Sequence, residues 1–245
     1  MQVYWLEQGV AEVRADADWL SVAEVARFGS FHIPKRRLDW RLGRWTAKHA
    51  VAAYLHLPCD PSALAAIEIR PAASGAPEVF LEGSAAPVSI SLTHRDSRAV
   101  CAVGDSGTVL GCDLEIVEPR SDAFVSDYFT PQEQEVVARA AQADRFLIVS
   151  LLWSAKESTL KAIKEGLRID TRQVEVASFE SSIAATNAAT ESPSSIDVWH
   201  RLQTRFEQQI FHGWWQCGGE FVLTLVSELE SGTPMRLPQP ANRRA

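Results

Sequence analysis

The sequence contains few cysteines, and none is arranged as part of a metal-binding or disulfide framework. Its four cysteines, Cys59, Cys101, Cys112 and Cys217, form no C-x-x-C pair and have no partnering histidine cluster. This scatter argues against both a zinc site and a set of disulfides. It predicts reduced thiols that are mostly buried.

Long apolar runs are also missing, and so is a secretory signal. The longest apolar stretch, residues 146–153, is far shorter than the roughly 20 residues that a membrane span needs. Residues 1–18 lack the basic start and apolar centre of a signal peptide. We therefore expect no membrane partner and a cytoplasmic location.

The sequence has no overall excess of positive charge, and its formal net charge is −7. This value disfavours general nucleic-acid binding, which needs a broad basic surface. The 245 residues, 46% hydrophobic and 22% charged, have the composition of a globular protein with one large domain or two small ones. One short stretch is nevertheless basic, and such a local patch suits a small polyanion. The basic stretch contains Lys35, Arg36, Arg37, Arg41, Arg44 and Lys48.

The pattern of apolar residues predicts an α+β fold with two similar lobes. The first lobe, residues 1–107, has helical spacing from residue 18 onward and again from Pro34 to about His56. Its short, turn-bounded strands are predicted near residues 3–6, 66–70, 78–81, 88–93 and 99–103.

The second lobe, residues 108–230, opens with a predicted strand over residues 109–116. Thr130 and Glu133 have the spacing of a capping box, which predicts that a helix begins there. A stronger helix is predicted over residues 144–165, with strands over 173–179, 197–204 and 221–225. Residues 178–195 resemble an exposed loop, residues 231–245 are predicted to be disordered, and no strong internal repeat is visible.

The first candidate for chemistry is a pair of carboxylates on the strand that opens the second lobe. Alternate side chains of a strand share a face, so Asp113 and Glu115 project together. Two adjacent carboxylates repel each other unless a cation or a proton lies between them, and oxygen ligands suit Mg²⁺. A solvated strand face is the alternative interpretation of the same pattern.

The second candidate lies in the strong helix, in the segment Trp153-Ser-Ala-Lys156-Glu157-Ser-Thr-Leu-Lys161. Glu157 and Lys161 are one turn apart and share a helix face. A surface ion pair is the alternative, but the segment before it is almost wholly apolar. Charges that follow an apolar segment directly are placed near a buried region, which favours a functional site.

A third element, Ser91-Leu-Thr93-His94-Arg95, ends a predicted strand and offers hydrogen-bond donors to phosphate oxygens. His94 has an ordinary surface or core role as its alternative. Together the three elements supply carboxylates for a metal, nearby lysines and a basic patch. Phosphoryl transfer needs such charge neutralisation and positioning, and no P-loop is present.

The two carboxylate segments resemble the paired motifs of the surfactin-type (Sfp-like) 4'-phosphopantetheinyl transferases. The first motif is Val109-Leu-Gly111-Cys-Asp113-Leu-Glu115 and the second is Trp153-Ser-x-Lys156-Glu157-Ser-x-x-Lys161. The resemblance extends to the strand-end motif at Thr93 and His94. It covers roughly residues 34–169.

This resemblance implies an enzyme that moves the phosphopantetheine arm of coenzyme A onto a serine of an apo acyl or peptidyl carrier protein. It also implies a pseudo-twofold pair of lobes with the active site in the cleft between them. A monomer is the expected state, since one chain contains both lobes. The implied Mg²⁺ ligands are Asp113, Glu115 and Glu157, and the implied catalytic residues are Glu157 and Lys161. The implied coenzyme A contacts are Arg36, Arg37, Arg44, Lys48, Thr93, His94, Asp113, Lys156 and Lys161.

Several points remain open at the level of sequence. The family often has a Gly-Lys-Pro, where this chain has Gly75-Ala76-Pro77, so the cofactor contact of that lysine is missing. The serine's proton is expected to pass to a carboxylate or to a metal-bound water, with Glu157 as the first candidate side chain and Glu133 as the weaker one. Candidate contacts for the carrier are Phe124, Tyr128 and Phe129, and burial in the core is the alternative role for these aromatics. The competing functions are a catalytically silent coenzyme A-binding or scaffold protein and a phosphotransferase that acts on a small molecule.

Overall fold

The computed structural model describes residues 1–180 and 198–239, and these residues form an α+β fold, as predicted. Their helices are α1 (Val22–Gly29), α2 (Pro34–Tyr54), α3 (Pro61–Ala66), α4 (Asp122–Tyr128), α5 (Pro131–Arg139) and α6 (Arg145–Ala162). Their strands are β1 (Tyr4–Gly9), β2 (Ile67–Pro71), β3 (Pro77–Leu81), β4 (Ser84–Ala85), β5 (Val88–Arg95), β6 (Arg98–Asp105), β7 (Leu110–Ile116), β8 (Val174–Phe179), β9 (His200–Phe206), β10 (Gln209–Gly218), β11 (Phe221–Ser227) and β12 (Met235–Arg236). In the described residues no helix is long and apolar enough to cross a membrane.

The chain divides into two compact units. The N-terminal unit comprises residues 2–108 and the segment that begins at Pro234, and the C-terminal unit comprises residues 109–233 with Met1. Each unit has its own apolar core.

In the N-terminal unit the long helix α2 packs against a four-stranded sheet of order β12-β1-β6-β5. Strands β2, β3 and β4 form a second, antiparallel sheet. Helix α1 begins at a capping box, in which the Ser21 hydroxyl accepts from the Glu24 amide and the Glu24 carboxylate accepts from the Ser21 amide. Helix α2 begins at Pro34, as predicted.

In the C-terminal unit helix α6 packs against a five-stranded antiparallel sheet of order β7-β11-β10-β9-β8. The predicted capping box is confirmed, because Thr130 and Glu133 exchange hydrogen bonds at the start of α5. Helix α6 is apolar on most sides, and a stripe of serines lies against the sheet. Ser150 donates to the Ile116 carbonyl and Ser154 to the Asp113 carbonyl, both at 3.1 Å.

The long helices of the two units carry similar short sequences, which the sequence analysis overlooked. Helix α2 contains Trp45-Thr-Ala-Lys48-His49, and α6 contains Trp153-Ser-Ala-Lys156-Glu157. In both units a short helix that starts at a Ser/Thr-x-x-Glu capping box precedes the long helix. The two segments are similar but not identical, and this weak internal similarity was not noticed in the sequence.

Other elements also differ from the expectations. Strand β10 was missed, although Phe211 and Trp215 are buried at alternate positions. Gly213 lies between them and weakens the strand pattern. Helix α1 begins at Val22 and not at residue 18, because Ser21 is its N-cap. Helices α3 and α4 were also not predicted.

The segment after residue 230 is not disordered where it is described. Strand β12 pairs in parallel with β1, and the Leu237 amide donates to the Trp5 carbonyl at 2.7 Å. Leu237 is buried in the core of the N-terminal unit. Most of the predicted 178–195 loop lies outside the described residues; Ser178 and Phe179 belong to β8.

Candidate active site

The two predicted carboxylate motifs meet where β7 lies against α6. A Cβ atom on Gly111 would lie 1.8 Å from the Ser158 carbonyl oxygen, so only glycine permits this approach. The side chains at alternate positions, Asp113 and Glu115, project from the same face of β7 as this glycine position. Helix α6 supplies Glu157 to the same place. We call Asp113, Glu115 and Glu157 the acidic cluster.

Lys161, which the sequence analysis predicted as a catalytic residue, contacts the acidic cluster. Its ammonium donates to Asp113 Oδ1 at 2.7 Å and to the Cys112 carbonyl at 3.1 Å. Burial by itself lowers the pKa of Lys161, but the Asp113 carboxylate and nearby groups that include Glu157 raise it above its ordinary value. Lys161 is therefore charged at neutral pH and holds Asp113 in place.

Glu157 is the most perturbed member of the acidic cluster. Burial raises its pKa to about 7, and the negative charges of Asp113 and Glu115 act in the same direction, while Lys161 opposes them. Its Oε1 atom is buried and has no hydrogen-bond partner among the described residues. This carboxyl group is thus poised either to hold a proton or to bind a cation.

Glu115 is held by two residues that no motif had singled out for this contact. The Trp153 indole N–H donates to Glu115 Oε1 at 3.1 Å, and Arg120 donates to Oε2 at 3.2 Å. The Trp153 ring in turn packs edge-on against Phe124 and Tyr128, with centroids 5.1 and 5.2 Å apart. Trp153 lay within a predicted motif, but Arg120 had no signal except its position shortly after β7.

The acidic cluster offers oxygen ligands alone, which suits a hard divalent cation. The unpartnered oxygen of Glu157 and the mutual repulsion of the carboxylates both favour such an ion. Among residues 1–180 and 198–239, no group of three or more His, Cys, Asp and Glu side chains is placed so that it could hold a metal ion. The residue types fit Mg²⁺, and the ligand assignment stays a prediction.

Two lysines predicted to contact coenzyme A are not placed to do so. Lys156 and Lys48 are both fully buried, at 0% exposure. Lys156 pairs with Glu133 at 2.8 Å, and Lys48 pairs with Glu24 at 2.5 Å. Each ammonium also donates to two backbone carbonyls, so its three N–H groups are all used. The assignment of both lysines as coenzyme A contacts is therefore wrong, and we assign them a structural role.

Glu133 is likewise unsuited to the role of alternative base. It is 2% exposed, and besides pairing with Lys156 it accepts from the amides of Thr130 and Val176, both at 2.8 Å. A carboxylate this deeply buried, with its oxygens engaged by these partners, has no access to a substrate hydroxyl.

The predicted phosphate contacts lie in the N-terminal unit. His94, at the end of β5, is half exposed and lies 3.9 Å from the Asp39 carboxylate on α2. The structure therefore brings His94 to the helix that carries the basic stretch. Arg36 and Arg37 are exposed, whereas Thr93 is buried and the Arg44 side chain is only 14% exposed.

The three aromatic candidates for carrier contact also differ in their exposure to solvent. Phe129 is fully buried in the core of the C-terminal unit, so its assignment to a surface is wrong. Tyr128 is 39% exposed, and Phe124 is partly buried beside it. These two side chains stay candidates.

Comparison with known proteins identifies the domain that carries the acidic cluster. Residues 109–225 match the family model described as the 4'-phosphopantetheinyl transferase superfamily. The chain is also similar to "4'-phosphopantetheinyl transferase HetI" of Nostoc sp. (strain PCC 7120 / SAG 25.82 / UTEX 2576). The identity is 26% over 164 residues, which cover 66% of this chain and 67% of that relative. Residues 109–225 thus match the 4'-phosphopantetheinyl transferase superfamily, and the prediction from the two motifs is confirmed at the level of this superfamily.

Proposed function

We propose that this protein transfers the phosphopantetheine arm of coenzyme A to a serine of an apo acyl or peptidyl carrier protein. The observation that carries this proposal is the meeting of Asp113, Glu115, Glu157 and Lys161 at one place, from two segments distant in sequence. The surfactin-type subgroup, the Mg²⁺ requirement, a monomeric state and a cytoplasmic location belong to the same proposal.

The reaction breaks the phosphoanhydride bond of coenzyme A and forms a phosphate ester bond to the serine. The serine oxygen attacks the phosphorus that carries the pantetheine arm, and the pyrophosphate P–O bond breaks. Adenosine 3',5'-bisphosphate leaves, and the proton of the serine goes to a base. Mg²⁺ held by Asp113, Glu115 and Glu157 would neutralise charge on the pyrophosphate.

Side chains of this chain perform the remaining tasks in the proposal. Lys161, a cation beside Asp113, would contact the pyrophosphate and stabilise its developing charge. Glu157, a carboxylate of the acidic cluster, is the side chain proposed to accept the proton of the serine. Trp153 and Arg120 hold Glu115 in orientation.

The 3'-phosphate of coenzyme A would be bound by Thr93 and His94 together with basic side chains of α2. Arg36 and Arg37 are exposed there. Arg44, stacked 4.9 Å over the Trp40 ring, is the third candidate. Lys48 and Lys156 are left out of this proposal because their N–H groups are all used within the protein.

A mass measurement tests the proposed function. The protein is incubated with coenzyme A, Mg²⁺ and a panel of apo carrier proteins, and the carriers are weighed. The proposal predicts that at least one carrier gains one phosphopantetheine group on its serine and that a serine-to-alanine carrier gains nothing. Coenzyme A binding without any mass gain would instead support the silent binding protein, and turnover without a carrier would support a small-molecule phosphotransferase.

A further inference from the structure

The buried ion pair between Glu133 and Lys156 connects α6, the helix that carries Glu157, with two other elements. Lys156 lies on α6 and donates to the carbonyls of Thr171 and Val174, which lead into β8. Glu133 lies on α5 and accepts from the Val176 amide of β8 at 2.8 Å. One enclosed pair therefore fixes α6 against α5 and the start of β8.

The residue that follows Lys156 is Glu157, so this pair controls the placement of the acidic cluster. Successive residues of a helix point about 100° apart, and Lys156 faces the core while Glu157 faces Asp113. Lys161 lies one turn beyond Glu157 on the same face. Any rotation or sliding of α6 that the pair prevents would move Glu157 and Lys161 away from Asp113 together.

The N-terminal unit contains a buried ion pair of the same kind, which connects its long helix to neighbouring elements. There Lys48 of α2 pairs with Glu24 of α1 and donates to the carbonyls of Trp19 and Leu64. Glu24 in turn accepts from the Ile69 amide of β2 at 3.1 Å. The next residue is His49, which is not a carboxylate. The same arrangement thus occurs without any part in a metal site.

We propose that Glu133 is a positioning residue, which holds α6 through Lys156 so that Glu157 and Lys161 meet Asp113 and Glu115. The inference rests on the proposed function, since it concerns the site of that reaction. It assigns Lys156 to the same positioning task and not to the binding of pyrophosphate.

The test compares Glu133→Gln with Glu24→Gln, two substitutions that remove the same charge from equivalent pairs. Each variant and the wild type are titrated with Mn²⁺ alone by calorimetry. Thermal unfolding is recorded beside it, and kcat and KM for coenzyme A are measured with a carrier. We expect Glu133→Gln to weaken Mn²⁺ binding by about tenfold or more and to lower kcat. Its KM for coenzyme A rises together with the loss of Mn²⁺ affinity, because Lys161 and the cation both act on the pyrophosphate. Glu24→Gln binds Mn²⁺ like the wild type.

Two results would overturn the inference while leaving the proposed function intact. In the first, Glu133→Gln melts earlier but keeps wild-type Mn²⁺ affinity and kcat, which means that the pair only stabilises the fold. In the second, Mn²⁺ affinity is unchanged and KM for coenzyme A rises, which means that Lys156 serves the ligand. A wild type that neither binds Mn²⁺ nor modifies a carrier overturns the proposed function, and the inference with it.

A second variant keeps the test decisive if Glu133→Gln does not fold. The double substitution Glu133→Gln with Lys156→Met removes both charges and leaves no unpaired ion in the core. Its matched control is Glu24→Gln with Lys48→Met. The same loss of Mn²⁺ affinity is expected for the first double variant and not for the second.

Discussion

The two units of this protein contain the same buried lysine–glutamate pair, yet only one of them presents an acidic cluster next to it. In the N-terminal unit Lys48 and Glu24 join α2, α1 and β2. In the C-terminal unit Lys156 and Glu133 join α6, α5 and β8. The shared pair explains how each long helix is held.

The difference lies in the residue that follows each lysine. His49 is buried, and burial lowers its pKa, so its ring stays neutral. Glu157 lies among carboxylates, and its pKa is raised to about 7. A buried lysine–glutamate pair thus lies next to a packed histidine in one unit and next to a candidate active site in the other. Function here depends on a few side chains added to a common framework.

The sharpest way to break this comparison is to substitute the residue that follows each buried lysine, which is His49 in α2 and Glu157 in α6. Glu157→Gln should reduce carrier modification on the order of a thousandfold, because a proton acceptor and a cation ligand are lost together. His49→Gln should leave turnover close to that of the wild type. The rates are measured with coenzyme A, Mg²⁺ and a carrier. Equal effects of the two substitutions would contradict the assignment of the site.

A second prediction concerns what the two units share. Lys156→Met leaves Glu133 buried without its cation, which should cost about 3–5 kcal/mol of unfolding free energy. Lys48→Met should cost less, because Arg44 Nε lies 3.7 Å from the Glu24 carboxylate. Denaturant titration measures both losses. If either substitution cost less than about 1 kcal/mol, that pair would not hold its helix as described.

A third prediction uses a glycine from each unit. Gly111→Ala pushes a methyl group against the Ser158 carbonyl and should destabilise the protein by about 3 kcal/mol or more. Gly43 lies inside α2 and meets only the end of the Leu92 side chain, at 3.2 Å. Gly43→Ala should therefore gain about 0.5 kcal/mol from reduced chain entropy. Thermal unfolding checks both signs, and a destabilising Gly43→Ala would mean that Leu92 cannot move aside.

The smallest expected effect is on the pH dependence of stability in metal-free protein. The raised pKa of Glu157 means that the folded state binds more protons than the unfolded state between pH 4.5 and about 7. This contribution to stability therefore falls as pH rises through that range. The lowered pKa of His49 acts oppositely: below its ordinary value of 6.5 the unfolded state binds more protons, so stability falls as pH falls.

The two variants separate these opposed slopes. Glu157→Gln should remove the loss of stability on the neutral side, and His49→Gln the loss on the acidic side. Unfolding free energies across pH 4.5–7.5 measure the difference from the wild type. A pH profile unchanged by Glu157→Gln would show that this carboxyl group is not desolvated in solution.

Much of the fold and the core of the candidate site could be predicted from local signals. Capping at Thr130, the proline at the start of α2 and the alternation of Asp113 with Glu115 are properties of neighbouring residues. The structural role of Lys48 and Lys156 in buried ion pairs could not be predicted from neighbouring residues. Their partners, Glu24 and Glu133, lie on other helices, and burial that converts a motif lysine into a structural one is a tertiary effect.

The same limit explains the other errors. Leu237 looks like part of a tail in sequence, but it is buried because β12 pairs with a strand at the opposite end of the chain. Phe129 and Tyr128 are adjacent aromatics, yet packing buries the first and leaves the second partly exposed. Sequence distance and residue type do not decide such cases.

The central claim is that Asp113, Glu115 and Glu157 hold one divalent cation next to coenzyme A. Anomalous diffraction from crystals grown with Mn²⁺ and coenzyme A tests it most directly. The account predicts an anomalous peak at coordination distance, about 2 Å, from carboxylate oxygens of this cluster and beside the pyrophosphate. A bound coenzyme A whose pyrophosphate lies far from these carboxylates, with no peak among them, would contradict it.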